Sequence, residues 1–462
     1  MAHLRPSTST VRRWVGACSL VAVLGLAGCT TPASDASPTS VKRTTTTSSS
    51  TTTTESTTTT TAAPAPPPPP TVPALLPALD AVWWGTPKAS CLMVQEGQTV
   101  VYERNPDLPV TPASTMKLLT ATAVLLRIDP ASRLRTRFVA ASGPDAAGTV
   151  NGDVFVVGGG DPLLATAAFA GHFSRPRRTT SVEALADALR AAGVTHITGR
   201  VLGDDGRYDR ERYAPSWPAS YRTDHEAGPL SALLVNDGAS SWNGSRETPM
   251  GDPAVEGADV IAQQLRARGV AVDGGAGAGT APPGAVELAG LDSYTVGEIV
   301  QSMLVDSNNN AAELLVRELG LRVAGQGTSE AGRRVVLDTL AGLGLPLTGV
   351  VMVDGSGLDH GNRVTCRLLT ALLTSSPVRA LVEAGLPVAA TSGTLARRFG
   401  GTPVAGRLRA KTGSLQGVSA LAGYSSGLSG RQLTFAFEQV GVGWLQGDRL
   451  QEQLRLALVA TR

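Results

Sequence analysis

Ser114-Thr115-Met116-Lys117 opens a Leu-, Ala- and Met-rich run that extends to Leu126, and its reading decides the rest of the chain. The composition of this run predicts a buried helix starting near Ser114. On a helix, residues three apart share a face, so the Ser114 hydroxyl and the Lys117 amine stand within hydrogen-bonding reach. A serine is a poor nucleophile until a neighbour takes its proton. A lysine does so once burial or nearby positive charge depresses its pKa, whereas an arginine cannot be deprotonated in this role. Of the 40 basic residues only Lys42, Lys88, Lys117 and Lys411 are lysines. Lys117 is thus an exception in a chain that otherwise uses arginine, although S-x-x-K alone is most often a chance surface pair.

Two further motifs change that weighting. Ser307-Asn308-Asn309 lies 190 positions after Lys117 and is followed by Asn310; by itself it reads as loop and helix cap. Lys411-Thr412-Gly413-Ser414 by itself reads as a strand with a solvated lysine. Taken in order, S-x-x-K, S-x-N and K-T-G form the active-site signature of the penicillin-recognising serine enzymes. A rival nucleophile, Gly423-Tyr424-Ser425-Ser426-Gly427, matches G-x-S-x-G, but that elbow requires a strand, a turn, a helix and a downstream histidine. Here another strand follows, and no histidine comes after His360. The match reads as a hairpin turn.

At these residues the chain resembles the D-alanyl-D-alanine carboxypeptidase/endopeptidase family, the class C group of low-molecular-weight penicillin-binding proteins. The likeness extends from about Leu79 to the C-terminus. It includes Val157-Gly-Gly-Gly-Asp161-Pro162-Leu163, Gly199-Arg-Val-Leu-Gly-Asp204-Asp205, Asp354-Gly-Ser-Gly-Leu358, Ser392-Gly-Thr-Leu395 and Lys411-Thr-Gly-Ser-Leu415. The resemblance implies an α/β (α+β) transpeptidase-like domain, with a five-stranded antiparallel sheet flanked by helices and facing an all-helical region. That domain is expected over 75–145 and 291–462, interrupted by a mixed α/β insert over 146–290.

The resemblance also implies roles. Ser114 attacks the carbonyl between two D-alanines, Lys117 is the base, and Ser307 relays a proton to the leaving D-alanine. Asn309 holds the substrate amide; Lys411 stabilises charge and, with Thr412, meets the terminal carboxylate. Gly413 and Ser414 belong to the substrate-binding strand, and the backbone N–H groups of Ser114 and Ser414 form the oxyanion hole. Asp204 matches an aspartate that greets the amine of a diaminopimelate side chain. Where the family has a Ser-Arg pair after Asp354-Gly-Ser-Gly-Leu358, this chain has Asp359-His360. Losing a permanently charged, bidentate partner predicts a peptide amidated at that position. Peptidoglycan stem peptides are the expected substrate and β-lactams the expected inhibitors, with no cofactor.

Residues 1–29 read as a secretory signal: Arg5, Arg12 and Arg13 precede an apolar core from Trp14 to about Leu26. Leu26-Ala27-Gly28-Cys29 looks like the lipobox of bacterial lipoproteins, which predicts acylation at Cys29 and a lipid anchor as the only tie to the membrane. Residues 30–73 are mostly Ser, Thr and Pro, with too little apolar surface to offset chain entropy, and read as a disordered linker. As polyproline it would reach roughly 130 Å. Beyond the signal only Cys91 and Cys366 remain, either bridged or as two buried thiols. With no C-x-x-C or H-E-x-x-H, no zinc site is expected. The formal net charge of +2 gives no electrostatic case for a nucleic-acid partner.

Periodicity predicts a hairpin of Ala89–Gln95 and Thr99–Arg104, strands over Gly148–Gly160 and Ile197–Leu202, and a second hairpin of Val418–Tyr424 and Gln432–Gln439. Helices are expected over Ser181–Ala192, Ala258–Gly269, Tyr294–Leu304 and Ala311–Leu319. Another closes the chain around Leu450, Leu454 and Leu458. Gly274–Gly284 reads as a linker or loose turn.

Overall fold

The structure, a computed structural model, describes residues 74–244 and 246–460. The signal, the linker and Cys29 lie outside the described residues. A five-stranded antiparallel sheet is ordered Leu408–Leu415, Val418–Ser426, Gln432–Val440, Cys91–Glu96, Thr99–Arg104. Both expected hairpins are in it, joined where Cys91–Glu96 pairs with Gln432–Val440, so the two ends of the folded chain share one sheet. Gly423 to Ser426, expected as the hairpin turn, instead belong to the strand and pair with Phe435 to Gln432, so the turn comes after Ser426 and leads into a strand, not a helix.

Side chains alternate across this sheet as the pleat dictates. Leu92 and Val94 face a layer made by the Leu75–Trp84 helix and the C-terminal Trp444–Ala460 helix. Cys91 and Met93 face the larger helical core, where Leu118, Leu119, Leu315 and Leu369 are buried. The Leu75–Trp84 helix is not foretold by the sequence reading. Its Leu75, Leu79 and Val82 form a stripe that packs with Leu450, Leu454 and Leu458. Of the two states left open for the cysteines, the bridge is present: Cys91 and Cys366 are joined, tying the sheet to the Cys366–Ser375 helix.

Between Ile128 and Val296 the chain builds a second sheet, ordered Ala276–Ala278, Val201–Asp204, Val154–Val157, Arg133–Ala140, Val286–Thr295. Helices Val182–Ala191 and Pro253–Ala267 cover it over a separate core. Arg133–Ala140 pairs along its length with Val286–Thr295. The sheet therefore begins before residue 146 and runs past residue 290, because a strand and its ladder partner belong to the same layer.

Several local expectations are corrected. Gly148–Gly160 is two strands, Thr149–Val150 and Val154–Val157, in different sheets; Ile197–Leu202 likewise splits into His196–Ile197 and Val201–Asp204. The Gly274–Gly284 stretch is not only a linker, since Ala276–Ala278 pairs in parallel with Val201–Gly203. A Cβ on Gly277 would run into the Arg200 guanidinium, so glycine here marks close packing. The helix expected from Ala258 begins at Pro253, capped by Asp252, whose carboxylate accepts the Ala254 N–H.

Candidate active site

The run beginning at Ser114 is not α-helical from its first residue. Ala113–Met116 forms a 3-10 turn, and the α-helix proper is Lys117–Arg127. Ala113 has φ 48°, a left-handed conformation that is strained for an alanine. Gly357 packs directly against its carbonyl, where any Cβ would collide. From the other side a Cβ on Gly413 would lie 2.7 Å from the Pro112 carbonyl oxygen and 3.1 Å from Ala113 Cβ. The two glycines let the Asp354–Leu358 loop and the Leu408–Leu415 strand close on the turn that presents Ser114.

Lys117 Nζ lies 3.0 Å from Ser114 Oγ, 2.6 Å from Asn309 Oδ1 and 2.7 Å from the Ser356 carbonyl oxygen. It is fully buried, and burial lowers its pKa to about 7 against the opposing pull of Asp354, Glu313 and Glu226. Lys411, also fully buried, donates to Ser307 Oγ at 2.8 Å and to the Thr412 carbonyl at 2.9 Å. Burial, and then the Lys117 charge, push its pKa well down. Ser114, Ser307, Asn309 and Thr412 are each partly open to solvent, and Thr412 Oγ1 meets Thr394 Oγ1 at 2.8 Å. All three motifs thus converge on one cleft.

The three asparagines are held by Glu226 and Asp237. Ser307 ends the Val296–Asp306 helix at φ 57°, and Asn308 caps the Asn309–Ala324 helix by accepting the Ala311 N–H at 2.6 Å. Asn308 and Asn310 both donate to the Asp237 carboxylate, at 3.1 Å and 2.8 Å. Asn309 Nδ2 donates to the Glu226 carbonyl at 2.6 Å, which fixes its Oδ1 towards Lys117. The all-asparagine run is therefore more than a cap: each residue bridges two parts of the fold.

Sequence reasoning missed the groups behind Lys117. Glu313 accepts the backbone N–H groups of Gly355 and Ser356, and Asp354 accepts those of Gly357 and Asp359 together with the Trp217 indole N–H. Burial, with Asp354 nearby, raises the Glu313 pKa to about 7. These bonds aim the Ser356 carbonyl at Lys117. Asp354-Gly-Ser-Gly-Leu358 was legible only as a shared motif; its turn-forming glycines were the available signal. Glu438, on the sheet behind the Ser114 turn, is also fully buried and receives the Thr115 hydroxyl at 3.2 Å.

Two expected residues stand apart from this network. The Asp204 carboxylate accepts the Gly206 and Ala281 N–H groups within the inserted region. His360 is exposed, and its carbonyl accepts from the Thr111 hydroxyl and the Arg363 guanidinium. Among the described residues, no group of three or more His, Cys, Asp or Glu could hold a metal ion.

The profile of the D-Ala-D-Ala carboxypeptidase 3 (S13) family matches residues 86–255 and 245–460. The chain belongs to this family. It is 30% identical to a D-alanyl-D-alanine carboxypeptidase of Actinomadura sp. (strain R39), over 74% of this chain and 75% of that protein. To carboxypeptidase DacB of Mycolicibacterium smegmatis it is 31% identical, over 73% and 72% of the respective chains. In three dimensions it resembles penicillin binding protein 4 (dacB) from Haemophilus influenzae, with a TM-score of 0.69 at 19% identity, covering 82% of this chain and 98% of that one. That likeness establishes a penicillin-binding-protein fold. The family member is a hydrolase, a serine-type D-alanyl-D-alanine carboxypeptidase, whose substrate class places its work outside the cytoplasm. No described helix is long and apolar enough to cross a membrane.

Proposed function

We propose that Ser114 is the nucleophile of this carboxypeptidase and that Lys117, Ser307, Asn309 and Lys411 complete its machinery. The observation that carries this reading is the contact of Lys117 Nζ with Ser114 Oγ at 3.0 Å in a buried setting that lowers the lysine pKa to about 7. Neutral Lys117 takes the Ser114 proton as Oγ attacks the carbonyl between the two terminal D-alanines. The tetrahedral oxyanion is received by the Ser114 and Ser414 N–H groups. Its collapse breaks the C–N bond, and the proton held by Lys117 is relayed through Ser307, itself bonded to Lys411, to the departing D-alanine amine, which leaves Lys117 neutral. A water molecule then attacks the acyl carbonyl as Lys117 accepts its proton, and the ester bond breaks as Lys117 returns that proton to Ser114 Oγ. Asn309, placed between Lys117 and the Glu226 carbonyl, orients both the base and the substrate amide. The Leu408–Leu415 strand, through Thr412, Gly413 and Ser414, lines the peptide.

β-Lactams acylate the same serine in this mechanism. Labelling with a fluorescent penicillin, compared with Ser114→Ala, tests the assignment: the unaltered protein takes label and the variant does not. An unlabelled native protein would sink it. Release of D-alanine from a stem pentapeptide, set against cleavage of a cross-linked dimer, separates carboxypeptidase from DD-endopeptidase action. A preference for pentapeptides amidated at the diaminopimelate side chain follows from Asp359-His360 replacing Ser-Arg. Asp204 and His360 are assigned in this reading to the substrate-facing set.

The chain is further proposed to be exported and anchored by lipid at Cys29, with 30–73 as its tether and peptidoglycan as its partner. A Cys29→Ala protein that stays with the membrane fraction would contradict the anchor.

A further inference from the structure

Three arginines stand together in Arg175-Pro176-Arg177-Arg178, a segment of the inserted region that crosses to the catalytic region. Two of them fasten it there. Arg175 donates to the Gly393 carbonyl; Arg178 donates to the Glu298 carbonyl at 3.0 Å and lies over the Tyr294 ring. Ser174 adds a contact by receiving Arg397 at 3.4 Å.

Arg177 differs. Its guanidinium makes no hydrogen bond or ion pair among the described residues, and it is exposed. Its Cζ lies over Phe173, 3.6 Å from the ring centroid. Phe173 is itself held edge-on by Phe169 and against His172, whose Nε2 meets Glu247 at 3.0 Å. A cation stacked on an anchored ring keeps its N–H edges free while losing conformational freedom in advance.

The cavities it lines show what those edges face. One is shared with Ser307 and Asn309, and a second with Gly393 and Thr394, whose hydroxyl touches Thr412. The first cavity is also lined by Asp224, Glu226, Asp237 and Glu247; Asp306 lines the second and feels both Arg177 and Arg175. Arg177 therefore borders one cavity with the serine assigned to the leaving amine and another with Thr394, the partner of the K-T-G threonine. On a terminal D-alanine, amine nitrogen and carboxylate are separated by one carbon. A carboxylate on a residue whose nitrogen meets Ser307 is therefore held close to the cavity that Ser307 and Arg177 both line.

We propose that Arg177 is a specificity-determining residue that binds the free C-terminal carboxylate of the peptide substrate. The two lysines of the cleft are buried, and both have depressed pKa values. Arginine stays charged at any working pH, and its planar fork matches a carboxylate. Arg177 is then the fixed positive charge on the leaving-group side. The inference rests on the mechanism proposed above.

The test measures kcat/KM of the full protein for diacetyl-L-lysyl-D-alanyl-D-alanine and for its C-terminal amide. The unaltered enzyme should favour the acid by at least about tenfold, as expected for a charge-assisted contact. Arg177→Gln should lose about 10–100-fold on the acid, chiefly in KM, and change by less than about threefold on the amide. Arg177→Lys should recover part of the loss. Benzylpenicillin and its methyl ester, competed against a fluorescent penicillin, give the same comparison if the amide is turned over too slowly to measure. Equal losses on acid and neutral compounds, or no loss on the acid, would overturn the role of Arg177. A native protein that takes no penicillin and releases no D-alanine defeats the underlying mechanism instead, so the two failures are distinguishable.

Discussion

Lys117 Nζ faces Ser114 Oγ with its two other close partners, Asn309 Oδ1 and the Ser356 carbonyl, both able only to accept hydrogen bonds. A neutral amine has two hydrogens and one lone pair. With both hydrogens directed at those two oxygens, the lone pair is left for the Ser114 hydroxyl. The geometry thus accommodates the protonation state that a base requires, and burial brings the pKa to about 7.

Acylation should therefore rise with pH through an apparent pKa near 7, since the reactive form of Lys117 is the deprotonated one. Lys117→Arg, which keeps the charge and cannot lose it, should slow fluorescent-penicillin acylation by about 10²–10⁴-fold. A pH-independent rate between pH 5 and 9 on the unaltered protein would argue against a lysine base.

The asparagine bridge predicts an effect from a residue outside the three motifs. Asp237→Ala removes the carboxylate shared by Asn308 and Asn310. Losing two such bonds should free the Ser307–Asn309 segment and reduce kcat/KM by about tenfold. Unchanged kinetics in a folded Asp237→Ala protein would show that the segment is held by its helix cap alone.

Gly413→Ala tests the closeness of strand and nucleophile. The added methyl would lie 2.7 Å from the Pro112 oxygen and 2.9 Å from Ala420 Cβ, so the strand must move away from the Ser114 turn. A displacement of even an ångström at a reacting group costs about 10²-fold in rate. The expected result is a folded protein, by circular dichroism, with acylation slowed by at least tenfold.

The cysteine bridge closes a loop of 275 residues between the central sheet and a helix of the core. Replacing Cys91 and Cys366 together by alanine should lower stability by about 2–5 kcal/mol, read from urea unfolding. Adding a reductant should move the unaltered protein's midpoint and leave that of the double variant in place.

Much of this was legible in the chain because the strands and the three motifs carry local patterns. Apolar runs broken by turn residues announced both hairpins of the sheet, and lysine scarcity drew attention to Lys117 and Lys411. The cysteine pairing was not decidable, since Cys91 and Cys366 are far apart in sequence and either state buries two sulfurs. The short strands around Gly199 and Gly277 were misread because their order comes from neighbours: a two- or three-residue strand has too few positions to show a period. Glu313 and Asp354 escaped notice for a related reason. Their partners are backbone N–H groups of a loop, and no spacing of side chains signals that arrangement. Arg177 was one of 36 arginines, and only its stacking and placement distinguish it.

Glu438 supplies a prediction about stability instead of rate. It is fully buried, and desolvation raises its pKa well above 4.5, with only the Thr115 hydroxyl as a side-chain partner. The folded protein therefore keeps this carboxyl protonated at pH values where the unfolded chain has released its proton. By linkage, its contribution is fully present below the unfolded pKa near 4.5 and is lost as pH rises towards the folded value. Glu438→Gln, neutral at every pH and similar in shape, should remove that loss. Urea midpoints measured from pH 5 to 8 should fall less steeply for the variant than for the unaltered protein. Parallel pH profiles would mean that Glu438 is ionised in the folded state, with a partner for its charge that the Thr115 hydroxyl alone does not provide.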